Sequence, residues 1–373
     1  MLFRSEQYMI DIDIIETLFV DLSREDKLLE IAKELEWNVN GHDMYPNSLA
    51  PPGDYSDVIL RPVYIIRNEY LNSKFNSDCY YLCMCQTFDH YMKPLSNNNY
   101  YHNLEIMKND MDNLPCFSFE QSYYLVKEKD NEFNLDWLPK DYKDDAKMRK
   151  YDLNWLPQNF KNQAKSILNS GIPMSRSCGV GTEHIQGREC THLIYNLGLN
   201  SGLYLSSIKA GRSQGNWKIN VGPVYGIEAC HQLWLLRYLI TIISEEFKFK
   251  VLFNVKTIPD ISTNNYLHTN FSNKIMREKF DDEEAQNKVY SYILKYVNKL
   301  GKKHKKTIEN YGWDNELINE EYGNFKCIEG NRGGGRGVVR IPWHVCKNKY
   351  GYFEDRRPLS YCDPYVVYNE LLS

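Results

Sequence analysis

The chain has 373 residues, 42% of them hydrophobic, and a formal net charge of −4. This length supports one large domain or two ordinary ones, and the charge argues against a dedicated binder of nucleic acid or anionic membrane. The longest apolar stretch, Leu233 to Ile243, contains Arg237 and is too short to span a bilayer. The N-terminal segment has acids where a signal peptide needs an apolar core, so no signal peptide is expected there, and ten cysteines without a CxxC pair predict reduced thiols in a cytoplasmic protein.

The N-terminal third alternates short apolar runs with polar helical patterns. Strands or a hairpin are predicted at 8–22, 57–66 and 79–88, and helices at 22–37 and 100–114. The change in pattern after the last strand predicts a domain boundary near residue 105.

The remainder of the chain is richer in helical patterns. Helices are predicted at 190–209, 226–245 and 281–309, the last of which ends in lysines, as a helix C-terminus favours. The alternating segment 217–223 predicts a strand that leads into a turn.

An internal repeat interrupts this part of the chain. FNLDWLPKDYKDDAK at 133–147 recurs as YDLNWLPQNFKNQAK at 151–165. Two copies are too few for a solenoid. The segment 130–170 is therefore interpreted as a duplicated insert, which either docks its Trp-Leu-Pro motifs on its own domain or a partner protein, or is a surface loop that grew by duplication.

Two polar residues stand out in the strand-like run FSFEQSYYLV at 117–126. Glu120 and Ser122 are two positions apart, so both point to one face of an extended segment. A carboxylate in that position is typical either of half a metal site or of a charge on an edge strand.

Six longer motifs resemble those of eukaryotic-type glutamine synthetase, and they occur in family order over about residues 10 to 370, apart from the insert. They are EWNVNG at 36–41, CGVGTEHIQGRE at 178–189, NWKINVGPVYGIE at 216–228, HTNFSNKIMRE at 268–278, RIPWHV at 340–345 and GYFEDRRPLSYCDPY at 351–365.

The resemblance implies an α+β fold. It implies a β-grasp-like N-terminal domain at 1–105 and a larger catalytic domain at 106–373 around a curved antiparallel sheet, with the insert at 130–170 inside it. It also implies a pentameric or decameric ring of identical subunits. The family makes glutamine from ATP, glutamate and ammonia with two divalent metals, which offset the charge that separates a carboxylate from a phosphate.

The metal ligands of the family divide into two sets here. Glu120, His268 and Glu354 match the three ligands of the phosphate-side metal. The glutamate-side metal of the family has three glutamates, and those positions hold Ser122, Gly211 and Lys218. Three carboxylates with a divalent ion carry one negative charge, whereas the residues here carry one positive charge and repel an ion.

Other losses fall on the glutamate side. Asn40 replaces the aspartate that takes a proton from ammonium, and an amide cannot act as that base. Tyr266 lies where small residues cradle glutamate in the family, and Trp343 replaces a second arginine of RIPR. The family's flap residues have no match in register at 314–325.

The nucleotide side is better preserved. Asn270, Ser272 and Tyr352 match the family's cofactor-binding residues, and Arg340 and Arg356 match its catalytic arginines, with Arg340 also counted toward the nucleotide. Arg336 joins this set if the alignment shifts by one place. The resemblance thus implies ATP or ADP with one Mg²⁺ or Mn²⁺.

Three functions remain open on the sequence. The first is a catalytically impaired glutamine synthetase that keeps its nucleotide and one-metal half, with Lys218 as a lesser possibility for replacing the missing ion. The second is an active, divergent glutamine synthetase that recruits acids such as Asp136, Asp141 and Asp144 from the insert. The third is another ATP-dependent ligase or kinase, in which Lys218 contacts an anionic substrate. Because the losses fall together on one substrate's side, the first is favoured.

Overall fold

The computed structural model describes residues 2–6, 9–13, 37–40, 57–76, 80–96, 98–127, 185–211, 215–253, 265–312, 323–330 and 337–373. The insert at 130–170, most of the helix predicted at 22–37 and most of the flap segment at 314–325 lie outside these residues. The domain boundaries stay predictions.

The described strands are β1 (Leu2–Glu6), β2 (Met9–Asp13), β3 (Trp37–Asn40), β4 (Asp57–Arg67), β5 (Tyr81–Phe88), β6 (Cys116–Lys127), β7 (Leu205–Ala210), β8 (Asn216–Tyr225), β9 (Phe249–Leu252), β10 (Leu267–Ser272), β11 (Cys327–Glu329), β12 (Val339–Ile341) and β13 (Phe353–Asp355). The described helices are α1 (Glu69–Phe75), α2 (Asn99–His102), α3 (Leu104–Asp110), α4 (Arg188–Asn200), α5 (Glu228–Glu246), α6 (Lys274–Arg277), α7 (Glu283–Lys302), α8 (His304–Asn310), α9 (Trp343–Asn348) and α10 (Pro364–Leu372), with a 3₁₀ turn at Met111–Asn113. No helix in the described ranges has the length and apolar content needed to cross a bilayer.

The strands form a hairpin, a small sheet and a large sheet. β1 and β2 pair as an antiparallel hairpin, and β3, β4 and β5 form the small antiparallel sheet. The large sheet has the order β11-β12-β13-β10-β6-β8-β7, and β9 also pairs with β6. Its neighbours are antiparallel except for β11 and β12. This large, mainly antiparallel sheet with helices confirms the predicted α+β class, while the β-grasp detail stays a prediction.

The two faces of the large sheet differ because side chains alternate along each strand. On β6, Phe117 and Phe119 are fully buried in the core that includes helix α5. Gln121 lies on this same face, and its Oε1 accepts a hydrogen bond of 2.7 Å from Arg237 of α5. Glu120 and Ser122 therefore lie on the opposite face, which carries the polar residues of the neighbouring strands.

Three helix predictions need correction. The helix predicted at 190–209 ends at Asn200, because Gly202 adopts a left-handed conformation (φ +94°) and the chain then runs as strand β7. The helix predicted at 281–309 is interrupted at Lys303 between α7 and α8. The helix predicted at 100–114 divides into α2, α3 and the 3₁₀ turn. By contrast, α5 and β8 confirm the predictions at 226–245 and 217–223.

Candidate functional site

Five strand pairings assemble the polar face of the large sheet. Glu120 of β6 pairs in register with His268 of β10, and Glu354 of β13 pairs with both Asn270 of β10 and Arg340 of β12. On the other side of β6, Ser122 pairs with Lys218 of β8, which in turn pairs with Lys209 of β7. Residues that are far apart in the chain thus come together in neighbouring rows on one face of the sheet.

The structure brings together Glu120, His268 and Glu354, the predicted phosphate-side ligands. His268 Nδ1 lies 3.5 Å from Glu120 Oε1 and 3.3 Å from Glu354 Oε1. Both glutamates are buried, and the Tyr266 ring stacks on His268 with 5.6 Å between the ring centroids. The histidine therefore links the two carboxylates.

Two lysines hold Glu120. Lys218 Nζ donates a hydrogen bond of 2.5 Å to Glu120 Oε1, and Lys209 Nζ pairs with Glu120 Oε2. Burial alone would raise the pKa of Glu120, but Lys218, His268 and Lys209 outweigh it and lower that pKa to about 2. Glu120 is therefore ionised at neutral pH, with a cation at each oxygen.

Two arginines hold Glu354 in the same way. Arg356 Nε donates a hydrogen bond of 3.0 Å to Glu354 Oε2. Arg340 Nε lies 2.5 Å from that oxygen, without the direction of a hydrogen bond. Burial would raise the pKa of Glu354, yet His268, Arg356 and Arg340 bring it far below the usual range for a glutamate.

These contacts decide whether a divalent ion fits the donor set. Mg²⁺ and Mn²⁺ require carboxylate oxygens that are free to point at the ion. Both oxygens of Glu120 and one oxygen of Glu354 instead face fixed cations. Within the described part of the chain, no group of three or more His, Cys, Asp or Glu side chains has an arrangement that could hold a metal. As the side chains stand, the donor set does not fit the phosphate-side ion.

A neutral network fills the area around Ser122. Ser122 Oγ donates a hydrogen bond of 2.9 Å to Asn265 Oδ1. Asn216 Nδ2 donates to Ser122 Oγ at 3.2 Å, to Asn265 Oδ1 at 3.1 Å and to the Tyr123 carbonyl at 3.1 Å. Ser122, Asn216 and Asn265 are all buried. We call these three residues the amide network; it joins β6, β8 and the segment just before β10 without any charge.

Gly211 is packed against the amide network. Its backbone N donates a hydrogen bond of 2.7 Å to the Asn216 carbonyl. A Cβ added at Gly211 would lie 1.5 Å from Asn216 Oδ1, far inside the closest contact that real Cβ atoms make. The side chain of Asn216 thus occupies the space that a carboxylate at position 211 would need. Where the family has three glutamates, this chain thus has the hydrogen-bonded hydroxyl of Ser122, Gly211 without a side chain, and Lys218.

The predicted nucleotide residues extend along the same face. Asn270 and Ser272 lie on the same face of β10 as His268, because side chains alternate along a strand. Ser272 Oγ accepts a hydrogen bond of 2.9 Å from Arg277. Tyr352 is half-buried, with its ring centroid 5.4 Å from that of His344. Arg336 lies outside the described residues, and the cofactor roles of this set stay predictions.

Two further degenerate positions lie on other elements. Asn40 ends strand β3, where it pairs in register with Asp57. Trp343 begins helix α9 and is 58% exposed, with Lys347 Nζ 5.2 Å from its ring centroid.

Sequence reasoning missed three residues of the site, namely Lys209, Asn216 and Asn265. The sequence pattern predicts a helix around Lys209, so it does not predict that Lys209 pairs with Lys218 between β7 and β8. The alternation of LSSIKA at 205–210 was the available signal. The two asparagines gave no signal of their own, because their partners are set by the sheet.

Comparisons with known proteins agree with the motifs and the fold. The glutamine synthetase of Suillus bovinus is 30% identical over 350 residues, covering 91% of this chain and 84% of the relative. That of Panulirus argus is 31% identical over 329 residues, covering 85% and 78%. No protein-family model matches the chain. A solved structure described as "GmaS/ADP complex-Conformation 1" matches with a TM-score of 0.54 and 13% identity, covering 93% of this chain and 72% of that one.

The structural match shows a shared fold, and the sequence matches define the class of protein, since they extend over nearly the whole chain. The chain belongs to the glutamine synthetase family.

Proposed function

We propose that this chain is a glutamine synthetase-family protein that is impaired in the family reaction, ATP with glutamate and ammonia to glutamine, and that keeps the nucleotide half of the site. The amide network is the observation that carries the proposal. Ser122, Asn216 and Asn265 satisfy one another, and Gly211 is packed against them, where the family places acids around the glutamate-side metal.

The chemistry explains why this arrangement impairs the reaction. Formation of γ-glutamyl phosphate brings a carboxylate up to a polyanionic phosphate, and a metal between them offsets the repulsion. A hydroxyl and two amides carry no charge to bind that metal. Asn40 is in the position of the family's proton acceptor and cannot accept a proton from ammonium.

Charge supports the retained nucleotide half. Among the described residues, the four cations Lys209, Lys218, Arg340 and Arg356 pair with two carboxylates, Glu120 and Glu354, which leaves an excess of two positive charges in this set. Arginine forks suit phosphate oxygens. The structural neighbour was solved as an ADP complex, which agrees with a nucleotide on this fold. One divalent ion at Glu120, His268 and Glu354 stays a prediction, and the cation contacts argue against it.

The other functions are weaker. An active, divergent glutamine synthetase would need acids from Asp136, Asp141 or Asp144, which lie outside the described residues. Another ATP-dependent ligase or kinase agrees with the excess positive charge, since Lys218 is partly exposed and could meet an anionic acceptor.

Assembly and location complete the proposal. We place the protein in the cytoplasm as a ring of five or ten copies, with the insert at 130–170 as a contact for a partner protein. Light scattering after gel filtration tests the ring, because five or ten chains of 44.1 kDa give about 220 or 440 kDa. A monomer would contradict it.

The test of function is ATP-dependent glutamine formation by the purified protein, with Mg²⁺ and Mn²⁺ assayed separately and ADP binding measured in parallel. We expect ADP binding without glutamine. Turnover that disappears in Glu354→Ala but persists in Lys218→Ala would overturn the proposal. Phosphate release with other acids or amines, in the absence of glutamine, would favour the other-ligase function instead.

A further inference from the structure

We propose that the ammonium groups of Lys218 and Lys209 take the place of the phosphate-side metal ion, so that this site binds the polyphosphate of a nucleotide without a divalent cation. The proposal rests on the proposed nucleotide-binding function for its ligand. The claim that a divalent metal is excluded does not depend on that function, because it rests on the side-chain contacts of Glu120.

Position is the first argument. Lys218 Nζ donates a hydrogen bond of 2.5 Å to Glu120 Oε1, so an ammonium group already occupies the side of that oxygen where an ion would bind. Lys209 Nζ holds the other oxygen. An ion could bind Glu120 only after displacing at least one of these ammonium groups, and the displaced cation would then stay nearby and repel it.

Charge is the second argument. Lys209 and Lys218 pair directly across β7 and β8, where two like charges destabilise a sheet unless an anion lies between them. Glu120 is that anion. Two fixed ammonium groups supply the same charge as one divalent ion, so the need for an ion is already met. One of the two positive charges balances the Glu120 carboxylate, and the other remains for a ligand.

The class of ligand follows from the charges around both Glu120 and Glu354. At the other end, Arg340 and Arg356 pair with Glu354, and these three side chains together carry a net charge of +1. All four cations are partly exposed, so they keep donors that can reach a ligand. Two positively charged ends joined by His268 suit an extended anion with several oxygens, as in a nucleoside di- or triphosphate.

The first experiment measures metal binding directly and needs no nucleotide. Mn²⁺ is titrated into the full chain, and free Mn²⁺ is followed by electron paramagnetic resonance. We expect the unmodified protein to bind no Mn²⁺ below about 1 mM. The double variant Lys209→Met/Lys218→Met frees both oxygens of Glu120 and should gain a site at least roughly tenfold tighter. Lys288→Met, which removes an exposed lysine on α7, is the matched control.

The second experiment measures ADP binding by calorimetry, with excess EDTA or with excess Mg²⁺. We expect the affinity of the unmodified protein to agree within about twofold in the two buffers. In the double variant, the affinity in EDTA should fall by roughly tenfold, and Mg²⁺ should restore part of it. Lys209→Met alone, at a half-exposed position, should give a smaller effect of the same sign, and it serves if the double variant does not fold.

Tight Mn²⁺ binding by the unmodified protein, or ADP binding that EDTA abolishes, would overturn the proposal. If ADP does not bind in either buffer, the proposed nucleotide function fails, and the Mn²⁺ titration alone then decides whether the lysines exclude the metal.

Discussion

The Asn216 side chain donates to three acceptors, two of them in the amide network. Its Nδ2 group lies within hydrogen-bonding distance of Ser122, Asn265 and the Tyr123 carbonyl, while its Oδ1 lies against Gly211. A buried amide with this many partners is costly to move, because each broken bond leaves a polar group without water. Position 211 therefore accepts a side chain only if the Asn216 amide moves.

This dependence predicts a strong coupling between positions 211 and 216. Gly211→Ala should destabilise the fold by about 2–3 kcal/mol, because the new Cβ displaces the Asn216 amide. Asn216→Ala should cost a similar amount, and the double variant should cost little more than Asn216→Ala alone. Urea unfolding of all four proteins measures the coupling. Additive costs would contradict it.

A second prediction concerns pH. His231 is buried between the rings of Tyr64 and Tyr100, with its Nδ1 2.6 Å from the Tyr365 hydroxyl. Burial lowers the pKa of His231 to about 3. The unfolded chain takes up this proton as pH falls through about 6.5, whereas the folded chain does not, so the contribution to stability is complete above that pH and is lost as pH falls towards 3.

We therefore expect His231 to reduce the free energy of unfolding by about 2 kcal/mol between pH 7.5 and pH 5. The variant His231→Gln cannot titrate, so its stability should fall by that much less over the same range. His102→Gln, at an exposed position on α2, is the control and should follow the unmodified protein. Equal pH slopes in all three proteins would show that His231 is not the cause.

Among the elements, α5 is fixed to the sheet by a fully buried cation. Arg237 donates to Gln121 Oε1 at 2.7 Å, to the Ser360 carbonyl at 2.8 Å and to the Cys362 carbonyl at 2.9 Å. Burial lowers its pKa to about 10, so it remains charged at neutral pH. One side chain thus joins the helix, strand β6 and the C-terminal segment.

Removal of this cation should loosen all three elements together. Arg237→Met removes the Arg237 donor from three buried acceptors, of which the Ser360 carbonyl keeps a bond from Gln121 Nε2, and we expect a loss of about 3–5 kcal/mol in the free energy of unfolding. Arg237→Lys should lose less, because it keeps the charge but not the fork of donors. Lys288→Met removes an exposed cation and should change stability by less than about 0.5 kcal/mol. A loss below that in Arg237→Met would contradict the role of Arg237.

The elements also show how far sequence could lead. The motifs around Glu120, His268 and Glu354 predicted the family and its large sheet. Local pattern misplaced 190–209, because the helical period of its first half hid the alternation of β7 after Gly202. Because that strand was not predicted, Lys209 was not predicted as part of the site. Ion pairs between strands depend on register, which is set by tertiary packing and cannot be read from one strand's sequence.

The whole molecule is acidic, with a net charge of −4, while the cations around Glu120 and Glu354 leave a local excess of positive charge. A local field of this kind attracts anions at low ionic strength and is screened by salt. If ADP binds there through fixed cations, its affinity must depend on salt.

We expect the dissociation constant of ADP to rise roughly three- to tenfold between low salt and about 0.5 M potassium chloride. Calorimetry at several salt concentrations measures this change. Adenosine, which lacks the phosphates, is the control ligand and should show little salt dependence. An ADP affinity that does not respond to salt would mean that the phosphates do not meet the cations.

The contact between Gly211 and Asn216 also limits which substitutions the two positions accept. A β-carbon at position 211 would lie 1.5 Å from Asn216 Oδ1, so an acid placed there by a single substitution would have to displace the Asn216 amide. Displacement or replacement of Asn216 breaks its bonds to Ser122 and Asn265. A change at either position alone therefore destabilises the fold, so Gly211 and Asn216 can be exchanged for other residues at low cost only together.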